Sequence, residues 1–249
     1  MRYRTTLAYD GSAYWGFQRQ AGNAPTVQAA VEAAIFQITA EHSSVIAAGR
    51  TDTGVHATGQ VIAFDLEGWQ HGAAVLTKAL NTALPDDISI RDTREAPGFH
   101  PRFDALSRRY AYTVLQADVR DPLLWKRAWW VEFPLDLAVM QSSAGLLLGT
   151  HDFATFGRPP QGTNTVRTVF DSRWTAEPAR VGTLYRYEVE ANAFLQHQVR
   201  RMVGMLVDVG RGGLAVTDFE LRFRSADLRQ ARRAAPPHGL ILEAVRYRD

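Results

Sequence analysis

Residues 45–64 read VIAAGRTDTGVHATGQVIAF, an apolar run, a short polar turn and a second apolar run. Val45, Ile46, Ala47 and Ala48 predict one β-strand and Val61, Ile62, Ala63 and Phe64 another, so the polar segment is a loop lifted off a rigid sheet. Asp52 is the only carboxylate in the stretch, with Arg50 two residues before it and Gly54 two after. Gly49 and Gly54 bracket the loop. Glycine tolerates positive φ and close approach of another chain, and Thr51 and Thr53 are small enough to leave the carboxylate unobstructed. Two readings fit these residues alone: a structural aspartate bonded to its own turn, or the centre of the protein's chemistry.

Outward from the loop, strands and helices alternate. Residues 2–9 predict a strand. Thr26 reads as a helix N-cap, and Val27, Ala30, Val31, Ala34, Ile35 and Ile38 form an apolar core face at helical spacing. Residues 73–84 predict a second helix, ended by Pro85, and Ile88 to Arg91 a short strand. The order then recurs. RRYAYTVL (108–115) predicts a strand, 135–148 a helix, Leu184 to Val189 a strand, and Leu195 to Val209 a helix stopped at Gly210. LILEAVRY (240–247) closes the chain with another strand. The recurrence predicts an α+β protein of two halves related by an old duplication. We place their boundary near residue 105, giving an N-terminal half (1–105) that carries the Asp52 loop and a C-terminal half (106–249). With no Pro-, Gly- or Ser-rich linker there, rigid packing of the halves is expected.

Composition sets further bounds. A chain of 249 residues with 46% hydrophobic content can bury a substantial core. Cysteine is absent, which removes disulfides, zinc-thiolate sites and thiol nucleophiles and fits a reducing cytoplasm. The seven histidines show no pairing at helical metal-ligand spacing, so no metal is expected. Arg2, Arg4 and Asp10 interrupt the first residues, and no run approaches the ~20 apolar residues of a membrane span; an unexported protein that does not cross a membrane is expected. The net charge is +2 and the pI about 9.0, with Lys78 and Lys126 the only lysines. Arginine offers a planar fork of donors to phosphate and stacks on bases, which suits RNA, although genomic composition produces the same bias. Arg108 with Arg109, Arg200 with Arg201, and Arg229, Arg232 and Arg233 are candidates for a positive surface. The last group also reads as a solvated helix face.

The segment GRTDTGVHA (49–57) resembles the active-site motif of the pseudouridine synthases that act on the anticodon arm of tRNA. YDGSAYWGFQRQ (9–20), followed by Thr26, Val27 and Gln28, is similar to that family's amino-terminal signature. FHPRFDALSRRYAYTV (99–114), LLGTHDFATF (147–156), NAFLQHQVRRMVG (192–204) and APPHGLIL (235–242) are similar to its later blocks, in the same order. The resemblance therefore covers nearly the whole chain. RPPQGTNTVRT (158–168) matches only loosely, and nothing is drawn from Gln196.

The resemblance implies two ferredoxin-like α/β halves sharing a mixed, mainly antiparallel central sheet, with helices packed on it and an active-site cleft between the halves. It implies conversion of uridine to pseudouridine at tRNA positions 38 to 40 by a cytoplasmic homodimer, without cofactor or metal. Residue by residue, Asp52 becomes the catalytic carboxylate and Arg50 a substrate-binding residue. Tyr110, the first tyrosine of R-R-Y-x-Y, stacks on the target uracil. Pattern alone leaves Tyr110 as a core residue sharing a strand face with Tyr112. Arg200 carries over as the partner of Asp52. Helical spacing puts it at the border of the stripe Leu195, Val199, Met202, Val203 and Leu206, with Arg201 near the opposite face; a snorkelling side chain or a surface ion pair fits as well. Leu240 matches an apolar residue beside the uracil and equally an ordinary strand core.

The reaction breaks N1–C1′, turns the base and joins C5 to C1′, so it needs an ionised carboxylate and a nucleotide taken out of its stack. Asp52 either adds to C1′ or removes the C2′ proton. A noncatalytic RNA-binding module is the rival from another class, but it has no need of Asp52 and Arg200 together. A nucleoside hydrolase is a second rival, and it releases free uracil.

Overall fold

RYRTTLAY alternates in burial along its length, and in the computed structural model, which describes residues 1–231 and 233–248, it forms β1 (Arg2–Tyr9) with Tyr3, Thr5, Leu7 and Tyr9 buried. Helix α1 (Val27–Thr39) follows. The Thr26 hydroxyl accepts from Ala29 N–H at its start, and Ala40 ends it in a left-handed conformation, φ 57°. Next come β2 (Ile46–Ala47), β3 (His56–Asp65), α2 (Ala73–Ala83) and β4 (Ile88–Glu95). Leu76 and Leu80, four residues apart, are the buried side of α2. β1 pairs antiparallel with β3 and β4, and β2 pairs antiparallel with β3. This β-α-β-β-α-β order, with β1 central between β4 and β3, is the ferredoxin-like arrangement. Each fully buried Leu7, Ile35 or Ile62 contributes about 1.5–3 kcal/mol to it.

The chain continues into β5 (Ser107–Gln116), β6 (Trp129–Val131), α3 (Leu137–Gly145), β7 (Gly149–Asp152), β8 (Val166–Pro178), β9 (Thr183–Ala191), α4 (Gln198–Gly210), α5 (Val216–Arg224) and β10 (Leu240–Arg246). The order β5-β9-β8-β7 is antiparallel throughout, while the short β6 lies parallel to β5. Strand, helix, two paired strands and helix thus recur as β5, α3, β8, β9 and α4. The core here is aromatic: Tyr112, Tyr187, Phe153, Phe156, Phe219 and Phe223 are fully buried.

Two compact units result. One is Met1–Leu106 with the residues from Ile241 onward; the other is Ser107–Leu240. The expectation that the last strand stays with the second half is corrected by its packing. Ile241 and Leu242 pair in parallel with His56 and Ala57, Leu106 N–H donates to the Arg246 carbonyl at 2.8 Å, and the Tyr247 ring meets Phe99 edge-on. Helix α4 also begins three residues later than its periodicity predicts. His197 takes φ 62°, and Leu195 N–H is bound by the Gln198 side chain at 2.7 Å instead of entering the helix. Among the described residues, no helix is long and apolar enough to cross a membrane.

Candidate active site

The loop between β2 and β3 is held by hydrogen bonds on both sides of Asp52. At its start, the fully buried Gln60 amide grips Gly49 from both sides: Nε2 donates to the Gly49 carbonyl at 2.7 Å, and Oε1 accepts from Gly49 N–H at 3.3 Å. Thr51 is buried. Its hydroxyl shares a 2.7 Å hydrogen bond with Tyr9, and its carbonyl accepts from Phe17 N–H at 3.0 Å. Asp52 then opens a tight turn, closed by Val55 N–H to the Asp52 carbonyl at 3.1 Å, with Gly54 at φ +77° in the third position that a type II turn reserves for glycine. Asp52 is left half-buried, between an exposed Arg50 and an exposed Thr53. Burial pushes the Tyr9 phenol up to about 12, so Tyr9 keeps its proton and its bond to the loop at neutral pH.

Residues 10–28 form the seat of this turn. Gly16, at φ +94°, lies so close that a Cβ there would stand 2.9 Å from the Thr51 oxygen and 3.3 Å from the Asp52 carbonyl carbon. Gln28 ties that seat to α1. Its Oε1 accepts from Gln18 Nε2 at 2.9 Å and Arg19 N–H at 2.8 Å, while its Nε2 donates to Glu32 at 2.9 Å and to the Val45 carbonyl at 3.2 Å. The separated sequence blocks 9–20, 26–28 and 45–57 thus meet at one place. Their meeting depends on Tyr9, Gln28 and Gln60, which the sequence reading does not single out for the site.

In the second unit, Tyr110 lies on β5 opposite Val189, 8% exposed, with its ring edge-on to Phe194 at 5.2 Å. Tyr112, two residues on, is fully buried and donates from its hydroxyl to the Pro236 carbonyl at 2.7 Å. Arg200, in the first turn of α4, donates from Nε to the Ala235 carbonyl at 2.9 Å, and Ala235 N–H returns a bond to the Arg200 carbonyl at 2.9 Å. Ala235 adjoins Pro236, whose carbonyl accepts from Tyr112, so Arg200 lies on the Tyr112 side of the helix; burial raises the Tyr112 phenol and the Arg200 cation opposes that rise. Gly239 packs against the Tyr112 ring, and the next residue, Leu240, is buried at the start of β10. Arg200 and the 235–240 segment are therefore brought together around Tyr112, a residue visible in sequence only as the second tyrosine of RRYAY. Asp52 and Arg50 share the loop of the first unit, whereas Tyr110, Arg200 and Leu240 belong to the second.

Several arginines of the clusters already have partners within the chain. Arg109 pairs with Glu190 at 3.0 Å, Arg108 donates to the Asn192 carbonyl at 2.8 Å, and Arg229 pairs with Asp227 at 2.8 Å. Arg201 donates from one guanidinium nitrogen to the carbonyls of Phe156 (3.1 Å) and Gln196 (3.3 Å), a backbone segment different from the one Arg200 meets. Arg232 lies outside the described residues. Among those described, no three His, Cys, Asp or Glu side chains gather as a metal-binding group.

A family model described as tRNA pseudouridine synthase matches residues 6–104 and 144–248, which include Arg50, Asp52, Arg200 and Leu240, with Tyr110 in the gap between. The chain is 42% identical over 248 residues to the tRNA pseudouridine synthase A of Neisseria gonorrhoeae, covering 99% of this chain and 92% of that protein. It is 42% identical over 242 residues to that of Roseiflexus castenholzii (97% and 88% covered) and 42% identical over 250 residues to that of Methylacidiphilum infernorum (98% and 95%). With the aspartate turn and its seat falling inside the matched residues, and relatives this similar along nearly their full length, the chain belongs to the tRNA pseudouridine synthase family.

Proposed function

We propose that this chain isomerises uridine to pseudouridine in the anticodon stem-loop of tRNA, at tRNA positions 38 to 40, with Asp52 as its essential carboxylate and with no cofactor. Family membership supports the reading. The observation that carries it is the manner in which the Asp52 turn is held: hydrogen bonds fix the backbone on both sides of a residue that is itself only half-buried. A reacting group that must meet the same atom of every substrate requires such fixing. In the reaction N1–C1′ breaks, the uracil turns and C5 bonds to C1′. A proton leaves C5 and N1 regains one, so atoms and electrons balance within the substrate and solvent. Asp52 acts either by adding to C1′ or by removing the C2′ proton.

We assign Tyr110 to the face of the extruded uracil, Leu240 to the apolar wall beside it and Arg50 to the RNA strand. Arg200 keeps Asp52 ionised once the base excludes water. The resemblance adds a homodimer in the cytoplasm.

The test is incubation of the purified protein with an unmodified tRNA transcript carrying uridines in its anticodon arm, followed by chemical labelling and primer extension. Pseudouridine at positions 38 to 40 is expected. None there, across several elongator tRNAs, overturns the assignment, and free uracil in place of pseudouridine makes the protein a hydrolase. Asp52→Asn keeps the volume and removes the charge, so turnover falls by roughly three or more orders of magnitude while tRNA binding persists. Substantial residual turnover would move the chemistry off the loop.

A further inference from the structure

Phe103 is 76% exposed, yet it is not a loose side chain. His100 Nδ1 accepts from the N–H groups of both Arg102 and Phe103, each at 3.2 Å, and so carries no proton there. The turn is closed by His100 N–H to Asp104 Oδ2 at 2.8 Å and by Asp104 N–H to the His100 carbonyl at 3.1 Å. These bonds lay the imidazole on the Phe103 ring at 4.2 Å and 28°, covering one face of it. The Arg102 guanidinium stands 5.9 Å from the same ring. Phe99, four residues earlier, is covered by a different guanidinium, that of Arg4 on β1, which lies 4.7 Å from its ring centre and 4.1 Å from that of Tyr247. Asp104, the only acidic residue between Glu95 and Ser107, is engaged in the turn.

Singly exposed aromatics are ordinary on protein surfaces. Here the ring is pre-stacked, set on a turn closed by hydrogen bonds, and has the Arg102 guanidinium beside it. Such a surface repels a cationic partner and suits a polyanion that carries flat π-faces.

We propose that the open face of Phe103 binds an unpaired nucleobase of the tRNA, separate from the uridine that reacts, with Arg102 favouring the adjoining phosphate. The proposal rests on the reading of the chain as a tRNA-modifying enzyme. It predicts stacking energy without base-specific hydrogen bonds, so it should tolerate different bases at that position.

The test uses the full-length protein and full-length unmodified tRNA, with affinity measured at several salt concentrations beside single-turnover rates and sedimentation. Phe103→Ala is expected to weaken tRNA binding by roughly 5- to 150-fold with little change in salt slope, and Phe103→Leu to behave like Ala. Phe103→Tyr should bind like the parent, because a π-face remains. Saturating tRNA should restore most of the turnover lost in Phe103→Ala. Arg102→Ala should flatten the salt slope by about one phosphate. Parent-like binding by both Ala and Leu variants, or by Leu alone, overturns stacking. Altered self-association with unchanged tRNA affinity overturns it too, in favour of a second copy of the chain on this surface. A parent protein that binds tRNA through Phe103 but forms no pseudouridine leaves the platform standing and removes the catalytic assignment.

Discussion

The Tyr9 hydroxyl meets Thr51 next to the aspartate turn. Tyr9→Phe removes one oxygen and leaves buried partners unmatched, at a cost of about 1–3 kcal/mol. Urea denaturation should show a lower midpoint with an unchanged slope, and Asp52-dependent turnover should fall further than tRNA affinity does. The same residue sets a pH limit. Its folded phenol is held up at about 12 against an ordinary value of 10.0, so below pH 10 both folded and unfolded chains keep the proton and the full stability is present. Between pH 10 and 12 the unfolded chain releases the proton first, and stability falls by about 2–3 kcal/mol from this group. Alkaline unfolding curves of Tyr9→Phe should lose part of that decline. If parent and variant decline in parallel through this window, the phenol is not held protonated by the fold.

Within single elements, α4 shows how neighbouring residues come to serve different ends. Arg200 and Arg201 are one helical step apart, about 100°, and their guanidinium groups meet different backbone segments, at Ala235 and at Phe156 with Gln196. Arg200→Ala should abolish single-turnover modification at saturating tRNA. Arg201→Ala should lower the denaturation midpoint and leave the salt slope of tRNA binding little changed, because the contacts it removes are to backbone carbonyls. An inactive but fully stable Arg201 variant beside an active Arg200 variant would reverse both assignments. The elements most legible in sequence were those with a period and an end signal, such as β1 with its strict alternation and α1 with Thr26 at its start. Helix α5 carries no side-chain cap and buries only Phe219 and Phe223, and β8 is largely exposed, so neither has a clear pattern to find. The aspartate turn was legible because its glycines and small residues are local. Gln60 was not, and Gln28 entered only through the amino-terminal signature and without a role, since an amide that bonds distant backbone leaves no periodic trace along the chain.

Across the molecule, the first unit contains residues separated by the whole of the second. β10 lies beside the first residues of β3, immediately after the aspartate turn, and a Cβ on Gly59 would stand 2.0 Å from the Glu243 carbonyl oxygen. Filling that contact should therefore loosen the turn from a distance. Gly59→Ala is expected to speed hydrogen exchange at Val55 and His56 and to reduce turnover, with the amides of β8 and β9 unaffected. Uniform protection of the turn in that variant would show that β10 does not brace it.

This pairing also bears on synthesis. Domains generally fold as units while the chain is still being made, the N-terminal one first, but here His56 and Ala57 must wait for Ile241 and Leu242. The aspartate turn is encoded early and braced late. A ribosome that has passed Gly239 without releasing the following strand displays the motif without its final neighbour, and a chain stalled there should carry the aspartate yet fail to modify RNA. The order of manufacture thereby withholds activity until both units have been translated.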